Sequence, residues 1–201
     1  MLVSDVFVFG LVKSRVMAKG FESRRPSRRP FFHPVALHPK LARCMVNLSR
    51  PRRGDVLLDP FCGTGGLLIE GELIGCKTIG SDVDPEMVRG CRRNMAFYGL
   101  PTGRLLIADA RRAPFSRVDA ISTDSPFGKS TKTFGATAIG IITDFLSNVD
   151  RMLPKGKFVC LSAPMEMGLG EIGEGLGLYL VETYTMTVHR ALTREICVFK
   201  R

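Results

Sequence analysis

Asp124-Ser125-Pro126-Phe127 sets an acidic side chain, a proline-stiffened turn and an aromatic face side by side, a combination suited to methylating a flat exocyclic amine. The acid and a neighbouring carbonyl would accept the amine's two N–H bonds while the ring clamps the base. The stretch is expected to close a strand running from Val118 to Ser122, at the carboxyl edge of a sheet, where open α/β folds hold their ligands. Taken alone, an Asp-x-Pro turn bounded by Gly128 is also an ordinary way to leave a strand.

A second motif upstream changes that balance. Val56-Leu57-Leu58-Asp59-Pro60-Phe61-Cys62-Gly63-Thr64-Gly65-Gly66 followed by Leu67-Leu68-Ile69-Glu70 reads as a buried strand, a glycine-rich turn and a helix start. Glycines let the backbone approach a ligand without Cβ interference, and the unpaired N–H groups of a helix start favour a negative group such as a carboxylate. A further strand, Lys77 to Gly80, leads to Ser81-Asp82-Val83-Asp84, and Asp82 falls where dinucleotide folds place the acid that holds a ribose. The loop lacks both a phosphate-binding lysine and the full G-x-G-x-x-G pattern, which argues against a nucleoside triphosphate and a nicotinamide. S-adenosyl-L-methionine, with a carboxylate, an ammonium and a ribose but no phosphate, fits better, and Asp59 could meet its positive end. A third strand, Arg104 to Ala108, delivers Asp109-Ala110, whose carboxylate or backbone could accept from an adenine amino group. Asp84, followed by Pro85, reads instead as a helix cap.

These motifs carry a resemblance. The chain resembles the catalytic half of the archaeal tRNA guanine N2-methyltransferases that act at tRNA position 10, through Arg29-Pro30-Phe31-Phe32-His33-Pro34 with Pro39-Lys40-Leu41-Ala42-Arg43, the Asp59 to Gly66 loop, Ser81 to Pro85, Asp124 to Gly128, and His189-Arg190-Ala191-Leu192-Thr193-Arg194. The resemblance implies a class I, Rossmann-like α/β methyltransferase, with a seven-stranded mixed sheet whose last strand is antiparallel and helices on both faces. It also implies that Phe32 and His33 border the methionine end of the cofactor, Asp82 the ribose, Asp109 the adenine and Asp124 the target amine. Two departures stand out. Where the family has D-P-P-Y, this chain has Ser125 and Phe127; phenylalanine still stacks, while losing a proline is expected to loosen the turn. The RNA-binding THUMP domain of full-length relatives has no room here, which points to a fragment or to a separate THUMP-type or small activator partner.

Composition and charge fit this reading. With 201 residues and 45% apolar content, one α/β unit can bury a sizeable core, and no apolar run approaches a membrane span. Six cysteines without C-x-x-C spacing point to buried thiols in a reducing cytoplasm and to no metal site. The opening nine residues read as a strand or linker remnant, not a signal peptide. Residues 1–53 carry 12 lysines and arginines against two acids, whereas residues 54–201 carry 17 of each, so the net charge of +10 comes from the leading segment. Residues 1–28 are therefore expected to form a basic arm or linker and residues 29–201 the methyltransferase domain. Arg15, Lys19, Arg24, Arg25, Arg28 and Arg29, interleaved with Phe21, Phe31 and Phe32, would grip tRNA phosphates; Lys129 and Arg194 join them as RNA-facing candidates. A solvated linker is the plainer alternative.

The remaining pattern predicts a helix over Phe134 to Leu153, with Ile139, Ile142, Leu146, Val149 and Leu153 on one face, a buried strand at Phe158 to Leu161, and a short helix within Gly168 to Gly177. A terminal hairpin is expected from Leu178 to His189 and Leu192 to Phe199. The functional expectation is S-adenosylmethionine-dependent N2-methylation of guanosine in tRNA. The alternatives are methylation of DNA amines or of a glutamine amide, the latter disfavoured by the basic arm, or a non-catalytic RNA-binding subunit that has lost activity through Ser125.

Overall fold

Two short buried runs organise the molecule: β1 (Val56–Asp59), where Leu57 and Leu58 are fully buried on opposite faces, and β4 (Ala120–Asp124), whose first four residues are all buried. Strands covered on both sides read as continuous apolar runs, and here they form the centre of a parallel sheet. The computed structural model describes residues 9–13, 18–34, 36–112, 114–126, 137–189 and 192–201.

β2 (Lys77–Asp82) and β3 (Leu105–Ile107) add to one side of β1, while β5 (Phe158–Pro164), β7 (Leu192–Lys200) and β6 (Tyr179–His189) extend beyond β4. The sheet order is β3-β2-β1-β4-β5-β7-β6, parallel through β5, with β7 antiparallel to both its neighbours. This is the seven-stranded mixed sheet expected. Strand order reverses between β1 and β4, so their carboxyl ends flank the topological switch point where such sheets bind ligands.

One face packs under α2 (Pro39–Leu48) and α3 (Gly66–Leu73), which bury Ala42, Met45, Val46 and Leu67 against Leu57, Ala120, Cys160, Ile196 and Val198. α4 (Pro85–Phe97) follows β2 and contributes Val88, Cys91 and Met95 to a smaller cluster with Leu68 and Ile69. The opposite face is covered by α5 (Ala138–Leu146), α6 (Val149–Met152) and α7 (Leu169–Gly175), around Phe145, Leu161 and Phe199.

Several boundaries differ from the sequence pattern. β4 begins and ends two residues later than expected: Val118 N–H donates to Met152 O ahead of the strand, and the ladder runs on until Ser125 N–H donates to Ser162 O at 2.9 Å. Asp124 is therefore the last residue of the strand. The long helix is two helices, because Asn148 Nδ2 donates to Asp144 O (2.7 Å) and Arg111 O (3.2 Å), and Ser147 Oγ donates to the same Asp144 carbonyl. Side chains that bond nearby backbone in this way compete with the helix and break it. Ile142, Leu146, Val149 and Leu153 are buried as expected, but Ile139 is 46% exposed. The predicted start of that helix at Phe134, residues 1–8 of the opening strand or linker, Arg15 and the Arg190-Ala191 turn lie outside the described residues. Among the described residues, no helix is long and apolar enough to cross a membrane.

The leading segment forms α1 (Ala18–Ser23) and a 3-10 turn at Pro26–Arg28, docked on α3. Glu70, fully buried on α3, accepts from Arg24 Nε at 2.7 Å and pairs with Arg43 Nη2 at 2.8 Å, while Arg24 also stacks over Phe21. Arg29 is buried, its Nε donating to Arg24 O, and burial lowers its pKa. Two of the arginines read as a solvent-facing RNA grip thus hold the segment to the domain.

Candidate active site

The cleft opens over the carboxyl ends of β1, β2, β3 and β4, and its floor is the glycine loop. Gly63 (φ +48°) and Gly65 (φ +84°) take left-handed backbone, and a Cβ on Gly65 would stand 2.6 Å from Cys91 Sγ. Only glycine fits such a position. The loop is tied down by Cys62 N–H to Ser81 O (2.8 Å) and Gly63 N–H to Asp82 Oδ2 (2.9 Å). Cys62 packs on Cys91, and that contact together with burial holds its thiol pKa up. Thr64 is buried, and its carbonyl accepts from Asn94 Nδ2 at 2.9 Å.

Asn94, on α4, is the residue that sequence reasoning missed here. Its Oδ1 accepts from Phe31 N–H and its Nδ2 donates to Phe31 O, both at 2.9 Å, so one amide joins the glycine loop to the segment bearing His33. The Phe31 ring packs on Gly90, where any Cβ would overlap it. A polar residue midway along an amphipathic helix gave no sign of this. His33, Ala36 and Leu37 consequently wall the cleft, whereas Phe32 is 53% exposed and stands outside its lining. His38, the other pre-proline histidine, caps α2 by accepting Lys40 N–H at Nδ1.

The acids divide by partner. Asp59 is buried, accepts from Thr123 Oγ1 at 2.6 Å and from Phe61 N–H at 3.3 Å, and is pushed up to about 7, chiefly by burial. Asp82 accepts Gly63 N–H and Asp84 N–H; burial raises its pKa against those two bonds. Asp84 accepts from Glu86 N–H and caps α4, as its sequence context indicates. Asp109 is gripped by Arg111 through Nε at 3.0 Å and Nη2 at 2.6 Å, which holds its carboxyl low. That grip engages both carboxylate oxygens, and Asp109 lines the cleft wall together with Val83, Ala108 and Ala110, beside the expected adenine position.

Asp124, Ser125 and Pro126 complete the cleft opposite the glycine loop. Asp124 lies on the sheet face shared with Ala120, pairs in register with Ser162, and receives a short hydrogen bond at Oδ1 from Arg194 Nη1. Burial raises the Asp124 pKa and the Arg194 charge opposes that rise. Arg194 is 5% exposed, so the structure turns a residue read as RNA-facing inward onto the acid. Ser125 gives the turn a tie that a proline would lack: its N–H carries the bond to Ser162 O, and its hydroxyl is buried without a partner among the described residues. Arg25 and Arg28 remain at the surface, Arg25 paired with Glu22 at 2.7 Å. Phe127 and Lys129 lie outside the described residues.

The residues fit S-adenosylmethionine on two observations: glycine-loop backbone bare of side chains where Gly63, in left-handed conformation, and Gly66 line the cleft, and a buried acid at Asp59 in the same lining, suited to face an ammonium. Fold and site are those of a Rossmann-like class I methyltransferase domain. Residues 26–195 match UPF0020, the RMKL-like methyltransferase domain, and the chain belongs to that family. It is similar to the tRNA (guanine(10)-N2)-dimethyltransferase of Methanothermobacter thermautotrophicus, at 41% identity over 100% of this chain and 60% of that protein. The enzyme of the same name from Methanocaldococcus jannaschii is 37% identical over 90% of this chain and 51% of its own length. The chain therefore spans little more than half the length of these curated relatives. Among solved structures, TrmN from Thermus thermophilus superposes with a TM-score of 0.70 and 25% identity, covering 82% of this chain and 49% of that one.

Proposed function

We propose that this chain carries the methyl-transferring half of a tRNA guanosine N2-methyltransferase acting at position 10. The observation that carries the reading is Asp124: a half-buried, arginine-paired carboxylate at the tip of β4, sharing one cleft with the glycine loop and Asp59. The names of the relatives supply the substrate; the cleft supplies a place for the amine.

In this reading the backbone of Gly63 and Thr64 approaches the methionine portion of the cofactor, and Asp59 faces its ammonium. Asp82 serves the ribose and the Val83 to Ala110 wall the adenine. When bound, S-adenosylmethionine supplies a methyl on a sulfonium; the S–CH3 bond breaks, its electron pair stays on sulfur, and the N2 lone pair of guanine forms the new N–CH3 bond. Asp124 and the Ser125 or Pro126 carbonyl accept the N–H bonds of the amine, favouring a pyramidal nitrogen at the moment of attack. A strong base is unnecessary, because the proton becomes acidic only as the methyl arrives, and it leaves through Asp124 to water. Phe127 stacks on the base. Arg25, Arg28 and Lys129 meet the tRNA backbone, with a THUMP-type domain or a separate partner supplying the remaining grip and the cytoplasm as the site of action.

Mass spectrometry of nucleosides from tRNA incubated with the protein and S-adenosylmethionine tests this directly. N2-methyl- or N2,N2-dimethylguanosine is the expected product. Label appearing only in DNA, or in protein, refutes it.

A further inference from the structure

Resting on the proposed methyl transfer, we propose that Arg194 is the positioning residue of the amine site, holding the Asp124 carboxylate charged and turned so that Oδ1 is engaged and Oδ2 meets the N2–H of guanine. Three geometric facts carry this. Arg194 Nη1 donates to Asp124 Oδ1 and lies 3.5 Å from Ser162 Oγ, so one guanidinium spans β4 and β5. The register is fixed: Asp124 pairs with Ser162, and two residues further along β5 Pro164 pairs with Arg194 on the reversed strand β7. Both partners are largely out of solvent, with side-chain exposures of 6% for Arg194 and 17% for Asp124.

A purely stabilising role accounts poorly for such a pair, because a buried ion pair seldom holds a fold better than apolar residues of similar volume would. The surroundings favour an electrostatic role. Among the described residues, the charged groups around Asp124 are Arg194 from β7 and Asp59 from β1, with Asp82 and Asp84, the Asp109–Arg111 pair and His33 lining the same cleft. Arg43 of α2 is committed to Glu70, and Glu195, next to Arg194, turns away to accept Leu169 N–H. Arg194 is the cation in hydrogen-bond contact with Asp124, set against several acids. Without it, burial would favour the protonated acid, which presents a donor where the amine needs an acceptor.

Arg194→Met and Arg194→Lys, made in the full chain, provide the test, with an unmodified tRNA transcript bearing guanine at position 10 as substrate. Arg194→Met should slow single-turnover methyl transfer about 100-fold at pH 7. Its rate should climb again as the pH is raised, as Asp124 ionises unaided. S-adenosylmethionine affinity should stay within about twofold, and Arg194→Lys should recover much of the rate with a near-native pH profile. A native rate and pH profile in Arg194→Met overturns the proposal, as does a loss confined to tRNA affinity, which would restore Arg194 to RNA contact. If Arg194→Met does not fold, Arg194→Gln, which also removes the charge, takes its place and is read by the same outcomes. If the wild-type chain transfers no methyl to guanine, the functional reading fails by itself. The pairing is then judged by 13C NMR titration of the Asp124 carboxyl, assigned with Asp124→Asn: a higher midpoint in either Arg194 variant supports it and identical midpoints refute it.

Discussion

The two sides of the cleft hold their acids in different ways. On the β2 and β3 side, Asp82 is fixed by the backbone of Gly63 and Asp84, and Asp109 by Arg111 two residues later. On the β4 side, Asp124 is fixed by Arg194, 70 residues further along the chain. Short-range partners make a rigid receptor whose shape follows from the local chain. The long-range partner makes an amine site that exists only once β4, β5 and β7 are assembled. In the proposed reading the β2 and β3 side binds the donor and the β4 side carries out the transfer.

The largest effect should follow from Asp124→Ala, which separates the two sides most sharply. Single-turnover methyl transfer should fall by about a thousandfold, while calorimetry gives an unchanged S-adenosylmethionine affinity. A parallel loss of cofactor binding would join the two sides into one unit.

Next comes the pH response of the receptor side. Asp59 rises from its ordinary 3.8 to about 7 in the fold. A carboxyl whose folded value is raised binds its proton more tightly when folded, so this contribution is fully present below 3.8 and lost as pH rises through about 7. The loss is on the order of 4 kcal/mol, and the raised Asp82 and Asp124 act in the same direction. A bound ammonium would favour the ionised form. Thermal melts should therefore show the ligand-free protein more stable at pH 6 than at pH 8, with a larger gain from S-adenosylmethionine at pH 8; Asp59→Asn should flatten both differences.

Asn94→Ala removes the amide that ties Phe31 to the glycine loop and leaves buried backbone groups unpaired, at a cost of about 2 kcal/mol. Denaturant melts should show this together with weaker cofactor binding, but with the rate at saturating cofactor preserved. The smallest effect is expected from Ser125→Pro. It deletes the N–H that bonds Ser162 O, so it should destabilise by about 1 kcal/mol and leave activity the same or lower. A gain in activity would instead mean that the turn needs proline stiffness more than its tie to β5.

This division also explains what the sequence could tell. The β1, glycine-loop and α3 run was legible because each step is local: an apolar strand, glycines at left-handed positions, then a helix start. Asp82 and the cap at Asp84 were legible by their distance from that loop. Asp124 was legible by type, but Arg194 was not, since an arginine on an alternating hairpin looks the same whether it faces water or a buried acid. Arg24 and Arg29 misled for a similar reason, because charge density does not reveal that Glu70 lies buried beneath them. The break at Asn148 was hidden by an unbroken apolar periodicity on either side of it.

β7 follows β6 in the chain but lies between β6 and β5 in the sheet. During synthesis, the nucleotide-reading half of the pocket can take shape while the ribosome is still adding residues, but the acid that would receive the amine has no counter-charge until the reversed strand slots home.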